Sequence, residues 1–86
     1  MEKVSVYTSI FEDGRKFEGD VSVDLYRTNE SARERLYADR EHVKEMFSRY
    51  YDEDDIIEED DDYHISIFTN DYDDYWEGRV EEKEIN

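Results

Sequence analysis

The chain has 86 residues, 27 of them Asp or Glu against 11 Lys or Arg, for a formal charge of −16 at pH 7. This length fits one domain with a modest core that removes roughly 60% of the unfolded surface from water. The absence of cysteine excludes disulfides and thiolate metal sites, and no apolar run approaches the ~18 residues that a membrane span needs.

Charge at this density often accompanies disorder. Eight Tyr, four Phe and one Trp, no Pro and a clear periodicity instead predict a folded domain. The first residues, Met1 to Val6, pass straight into an alternating pattern with no signal peptide, so an intracellular, cytoplasmic protein is expected.

Residues 4–11 alternate. Val4, Val6 and Ile10 share one parity with Thr8 between them, and Ser5, Tyr7 and Ser9 share the other. This predicts a strand with one side buried. Glu12-Asp13-Gly14-Arg15 is a turn signal, with Gly14 able to supply a positive φ. Phe17, Gly19, Val21, Val23 and Leu25 then share a parity and predict a second strand, antiparallel to the first.

Thr28 or Asn29 is the expected N-cap of a helix, with Glu30 in its first turn. Ala32, Leu36, Val43, Phe47 and Tyr50 recur at helical spacing, with Met46 at the stripe's edge. The helix should end near Tyr50 or Tyr51, because the acids that follow oppose the dipole at a C-terminus. Its bases, Arg33, Arg35, Arg40, Lys44 and Arg49, are expected to pair within the helix, as Glu45 and Arg49 can at i,i+4.

Residues 52–62 are acidic at nine of eleven positions, Ile56 and Ile57 being the exceptions, and are expected to form a loop pinned by the two isoleucines. Tyr63, Ile65 and Ile67 alternate with His64, Ser66 and Phe68 as a third strand. Residues 70–74 should turn, and Tyr75 to Ile85 should form a fourth strand with a bulge at Gly78. The expected fold is α+β: a single domain over 1–86 in ββαββ order, an antiparallel sheet with one helix on one face.

The charge is unevenly placed. Residues 1–51 carry 11 acids and 9 bases, for −2, whereas 52–86 carry 16 acids and 2 bases, for −14. Such a block repels itself. A solvated run that promotes solubility, adaptation to high salt, and a recognition surface for a cationic partner are three competing explanations. Salt adaptation should spread acids over the whole surface, unlike the near-balance of the first 51 residues. The recognition reading gains from Tyr50, Tyr51, Tyr63, Tyr72, Tyr75 and Trp76, interleaved with the carboxylates, since Tyr and Trp are favoured interface anchors. Alternate strand residues lie roughly 6.6–6.8 Å apart. Glu77, Glu81, Glu82 and Glu84, with the acids of 52–62, can therefore imitate a phosphate array.

Other chemistries find little support. An EF-hand begun at Asp52 would place Ile56 and Ile57 where an oxygen ligand and Gly are required, and one begun at Asp71 meets Tyr75 and Trp76 there. Loose divalent-cation binding stays open. His42 and His64 are the only histidines, which disfavours zinc. No Gly-rich phosphate loop, cysteine nucleophile or ordered Ser–His–Asp set is present, so neither an enzyme nor a cofactor is expected. The charge opposes direct nucleic-acid binding.

In size, charge and layout, and through the segments DEDDIIEEDDD at 52–62 and NDYDDYWE at 70–77, the chain resembles the small acidic nucleic-acid mimics of bacteriophages and mobile elements. These include anti-restriction, anti-CRISPR and uracil-glycosylase inhibitor proteins. The resemblance is one of class, with no shared motif to align. It implies an inhibitor acting in a host bacterial cell, its partner a basic nucleic-acid-binding protein. The charge would come from Asp52, Glu53, Asp54, Asp55, Glu58, Glu59, Asp60, Asp61 and Asp62, with Asp71, Asp73, Asp74 and Glu77. Tyr72, Tyr75 and Trp76 would anchor. A generic acidic interaction module, or a homodimer formed through an exposed strand, is the alternative.

Overall fold

A computed structural model describes residues 2–13, 18–70 and 74–85. The elements are β1 (Glu2–Asp13), β2 (Glu18–Tyr26), α1 (Asn29–Tyr50), a 3-10 turn (Glu53–Asp55), β3 (Ile56–Asp60), β4 (His64–Thr69) and β5 (Asp74–Ile85). The five strands form one antiparallel sheet in the order β2-β1-β5-β4-β3, and α1 lies across one face. The fold is thus a single small α+β domain, with one more strand than the expected ββαββ.

The additional strand corrects the acidic loop. Residues 53–55 make a helical turn, and Ile56–Asp60 pairs with β4 from Ile56↔Thr69 to Asp60↔Ile65. Two β-branched residues begin this strand, and its acids occupy the sheet edge, where charge deters pairing with another chain.

The helix begins as expected. Thr28 Oγ1 accepts a hydrogen bond from the Ser31 backbone N–H at 3.1 Å, and Glu30 lies in the first turn. Ala32, Leu36, Val43 and Phe47 are buried against the sheet. Tyr50 departs from the expected stripe and is 74% exposed, because the chain leaves the helix at Tyr51, whose N–H bonds the Phe47 carbonyl at 2.9 Å.

Of the two parities of β1, the buried one is that of Ser5 and Tyr7, not that of Val4, Val6 and Ile10. Tyr7 is fully buried under α1 and Ser5 is buried beside it, while Ser9 and Phe11 face the same side. Their polar atoms are satisfied from the core side: the Tyr7 hydroxyl donates to Asp39 Oδ2 at 2.6 Å, the Ser5 hydroxyl donates to Asn29 Oδ1, and Trp76 Nε1–H donates to Ser9 Oγ at 3.0 Å. Hydroxyls bonded to neighbours let β1 fill its share of the interior without an aliphatic side chain. Burial, with the bond to Asp39, pushes the Tyr7 phenol pKa upward. Val21, Val23 and Leu25 consequently lie on the open face, 58–67% exposed. Gly14 and Phe17 are outside the described residues.

Gly78 marks no bulge. The register runs through it without a break on both sides, Ser9↔Gly78 and Ile65↔Gly78. Its role is close approach: a Cβ there would lie 2.5 Å from Leu36 Cδ1 and 2.8 Å from the Trp76 ring.

Candidate functional site

The acidic run occupies one end of the molecule, at the β3 edge and the turn before it. Asn70 fastens that turn. Its N–H bonds the Asp55 carbonyl at 3.0 Å, and its amide Nδ2 reaches the Asp54 carbonyl at 3.2 Å and Asp55 Oδ1 at 3.3 Å. Asp52, Glu53, Asp54 and Asp55 therefore project from an anchored turn, all four exposed.

Strand alternation divides the remaining acids. Glu58 and Asp60 face α1, where Glu58 meets Lys44 Nζ at 3.2 Å and Asp60 meets Arg40 at 3.4 Å. Asp62, just beyond the strand, lies 3.8 Å from Arg33. The Arg33 guanidinium also stacks over the Tyr37 and Tyr63 rings, 5.5 and 5.2 Å from their centroids. The helix bases are thus not confined to pairing within α1, although Arg35–Asp39 and Arg49–Glu45 do pair at i,i+4. Three of them neutralise the inner side of the acidic run, which lets β3 dock on a helix-bearing sheet.

The outer acids face solvent. Asp52, Glu53, Asp54, Glu59 and Asp61 are exposed and make no ion pair with a described cation. An open groove of about 990 Å³ separates the C-terminal half of α1 from the turn and β3. Five carboxylates line it, Glu41, Glu45, Asp52, Glu53 and Glu58, against one Lys44. The Glu58 carboxyl is held above its ordinary value, first by burial and then by its neighbour Asp60, with Lys44 opposing.

The other expected site residues lie elsewhere. Asp71, Tyr72 and Asp73 fall outside the described residues. Asp74 is buried and accepts a hydrogen bond from the Tyr51 hydroxyl at 2.7 Å. Trp76 is 2% exposed and belongs to the core, so its ring offers no surface to a partner. Tyr75 and Glu77 sit on the open face of the sheet, bonded to each other at 2.7 Å. There β5 does not present an unbroken phosphate-like array, because Glu77 and Glu81 alternate with Arg79 and Lys83. Arg79 stands 2.8 Å from Glu77 and 3.3 Å from Glu81, and Lys83 stands 3.3 Å from Glu81. Glu82 turns to the helix side and meets Lys3 at 3.1 Å and Asn29 at 3.0 Å.

Glu41 and Glu45 join the acidic end through the packing of α1 beside β3, which no local pattern announces. Among the described residues, Tyr50 and Tyr63 are the exposed aromatic rings, at 74% and 41%. Among the described residues no group of three or more His, Asp or Glu side chains converges as metal ligands would, and no helix is long and apolar enough to cross a membrane.

Comparison with protein-family models, curated proteins and solved structures finds no match for this chain.

Proposed function

We propose that this protein is an acidic nucleic-acid mimic that occupies the basic groove of a nucleic-acid-binding host defence or repair protein. The observation that carries this reading is the set of exposed carboxylates on an anchored scaffold: Asp52, Glu53, Asp54 and Asp55 on the turn, where Asp52 and Glu53 line a groove that adds Glu41 and Glu45, with Glu59 and Asp61 exposed farther along the chain. Self-repulsion makes such a set costly to hold together in the absence of a cationic counterpart. The inner acids Glu58, Asp60 and Asp62 are each met by a helix base within the molecule. The recognition surface is therefore narrower than the whole 52–62 run.

A Lys/Arg-lined groove that accepts phosphates accepts carboxylates through the same charge-assisted hydrogen bonds. Association would be fast at low salt and weaken as salt rises. Tyr50 and Tyr63 would supply apolar contact at the rim.

The test is affinity capture from nuclease-treated bacterial lysate with mass spectrometry. Wild type is compared with a variant carrying Asp52, Glu53, Asp54 and Asp55 each changed to Lys. The expected result is capture of one or a few nucleic-acid-binding proteins by the wild type and none by the variant, with unchanged circular dichroism. Equal capture by both proteins would sink the proposal.

A further inference from the structure

The two edges of the sheet differ in what they offer a further strand. In an antiparallel ladder each residue aims its backbone N–H and C=O to one side, and the side alternates along the strand. The Val80 N–H bonds the Tyr63 carbonyl at 2.8 Å, and the Asp61 N–H bonds the His64 carbonyl at 2.7 Å. Carried through the continuous registers, these bonds fix which residues of each edge strand aim outward. On β3 they are Ile56, Glu58 and Asp60, whose two carboxylates meet Lys44 and Arg40. On β2 they are Val21, Val23 and Leu25, 67%, 58% and 67% exposed, and their outward N–H and C=O groups have no partner among the described residues. One edge is guarded by charge, whereas the other is an uncharged template for pairing.

We propose that β2 pairs antiparallel, edge to edge, with β2 of a second copy of this chain, about a twofold axis normal to the sheet at Val23. The result is one continuous sheet, five strands from each copy. Val23 then faces Val23 of the second copy, Val21 faces Leu25, and Ser22 faces Asp24. Each outward residue exchanges both backbone bonds with its opposite, about six hydrogen bonds in all. Other axes fit less well. An axis at Asp24 sets the two aspartates directly opposite each other, which is destabilising. An axis at Ser22 or Val21 sets one outward aliphatic residue against Gly19, and an axis at Leu25 sets Val23 against Arg27. Only the axis at Val23 gives every outward aliphatic residue an aliphatic opposite. It leaves the two Asp24 side chains on a diagonal, roughly 7–8 Å apart. Their repulsion is partly offset by Arg35, which is coulombically coupled to Asp24 within each copy.

The charge distribution selects the occupant. β2 belongs to the half of the chain that carries −2, whereas residues 52–86 carry −14. A basic segment of another protein is drawn to the acidic half and away from β2. In the joined sheet the two β3 strands are the outermost ones, about 43 Å apart at ordinary strand spacing. That is several times the Debye length of ~8 Å at physiological salt, so the acidic ends neither meet nor repel across the contact. They also stay open, which makes this contact independent of the mimic reading. One strand from each copy falls short of the ~800 Å² per partner that a stable complex uses. The dimer is therefore reversible, with a dissociation constant of roughly 0.1–1 mM.

Amide hydrogen exchange followed by NMR at about 20 µM and about 2 mM protein, with sedimentation equilibrium over the same range, tests the proposal. The N–H groups of Val21, Val23 and Leu25 should gain protection at the higher concentration. Those of Ser22 and Asp24, bonded to β1 within one copy, should be protected at both. Val23→Pro removes one outward N–H at an edge position, where proline is tolerated, and should abolish the dimer with circular dichroism unchanged. Ser22→Lys sets a cation opposite Asp24 of the other copy at two places and should tighten the dimer about fivefold, whereas Ser22→Glu should loosen it by a similar factor. This pair of variants keeps the test decisive if the proline variant fails to fold. A chain that stays monomeric at the higher concentration overturns the proposal. So does equal exchange of the Val21, Val23 and Leu25 amides at both concentrations, a dimer that survives in folded Val23→Pro, or equal association of the two Ser22 variants.

Discussion

Lys44 Nζ and Glu58 Oε1 stand 3.2 Å apart, yet the Glu58 carboxyl remains above its ordinary value. Burial and the adjacent Asp60 outweigh the single ammonium. The folded protein therefore holds this proton more tightly than the unfolded chain. The contribution favours folding below the unfolded pKa, ordinarily 4.5, and is lost as pH rises through the folded value. Glu58→Gln removes that loss. Its stability at pH 7 should equal or exceed wild type, with the advantage vanishing below pH 4.5. Urea titrations at several pH values check this, and a variant less stable at pH 7 would show that the Lys44 pair prevails.

Glu77 has the opposite sign. The Tyr75 hydroxyl, then His64 and Arg79, hold its carboxyl below the ordinary 4.5, against the effect of burial. Its contribution is present above the unfolded pKa and is lost as pH falls through the folded one. With this side chain only 15% exposed, Glu77→Gln should cost about 1–2 kcal/mol at neutral pH. The deficit should close as the medium is acidified below pH 4.5. A deficit independent of pH would assign the effect to packing instead.

Gly78 tests how closely the helix approaches the sheet. Gly78→Ala drives a methyl into Leu36 and the Trp76 ring, and should cost about 1–3 kcal/mol through overpacking. Pairing it with Leu36→Ala makes room on one side, so the double variant should lose less than the sum of the two single losses. Additive losses in denaturant titrations would place the strain elsewhere.

The helix was legible because its signals are local. Thr28, Glu30 and the Ala32–Leu36–Val43–Phe47 spacing all specify the same element. The third and fourth expected strands appear as β4 and β5, and the hairpin appears as β1 and β2. The direction in which the hairpin faces was not legible. Val4, Val6, Ile10, Val21, Val23 and Leu25 form the better apolar pattern, but the interior takes Ser5, Tyr7 and Ser9, whose hydroxyls find Asn29, Asp39 and Trp76 only once the helix is docked. Alternation identifies a strand and leaves open which parity is buried when partners distant in sequence satisfy the polar side.

The acidic run hid a strand for a related reason. Glu58 and Asp60 depress β propensity, and only Lys44 and Arg40, some fourteen to twenty residues earlier, make their inward placement tolerable. Composition located the acidic end of the molecule correctly. It could not separate the acids met by helix bases from those left exposed, since that division follows strand parity and the position of α1.

The mimic reading is tested most directly by competition. With a captured nucleic-acid-binding protein in hand, labelled duplex DNA is bound to it and this protein is titrated in at fixed salt. Displacement of the DNA is expected, with the Lys-substituted 52–55 variant displacing none. A ternary complex in which the DNA stays bound would contradict the account, because a mimic and its model cannot share one groove.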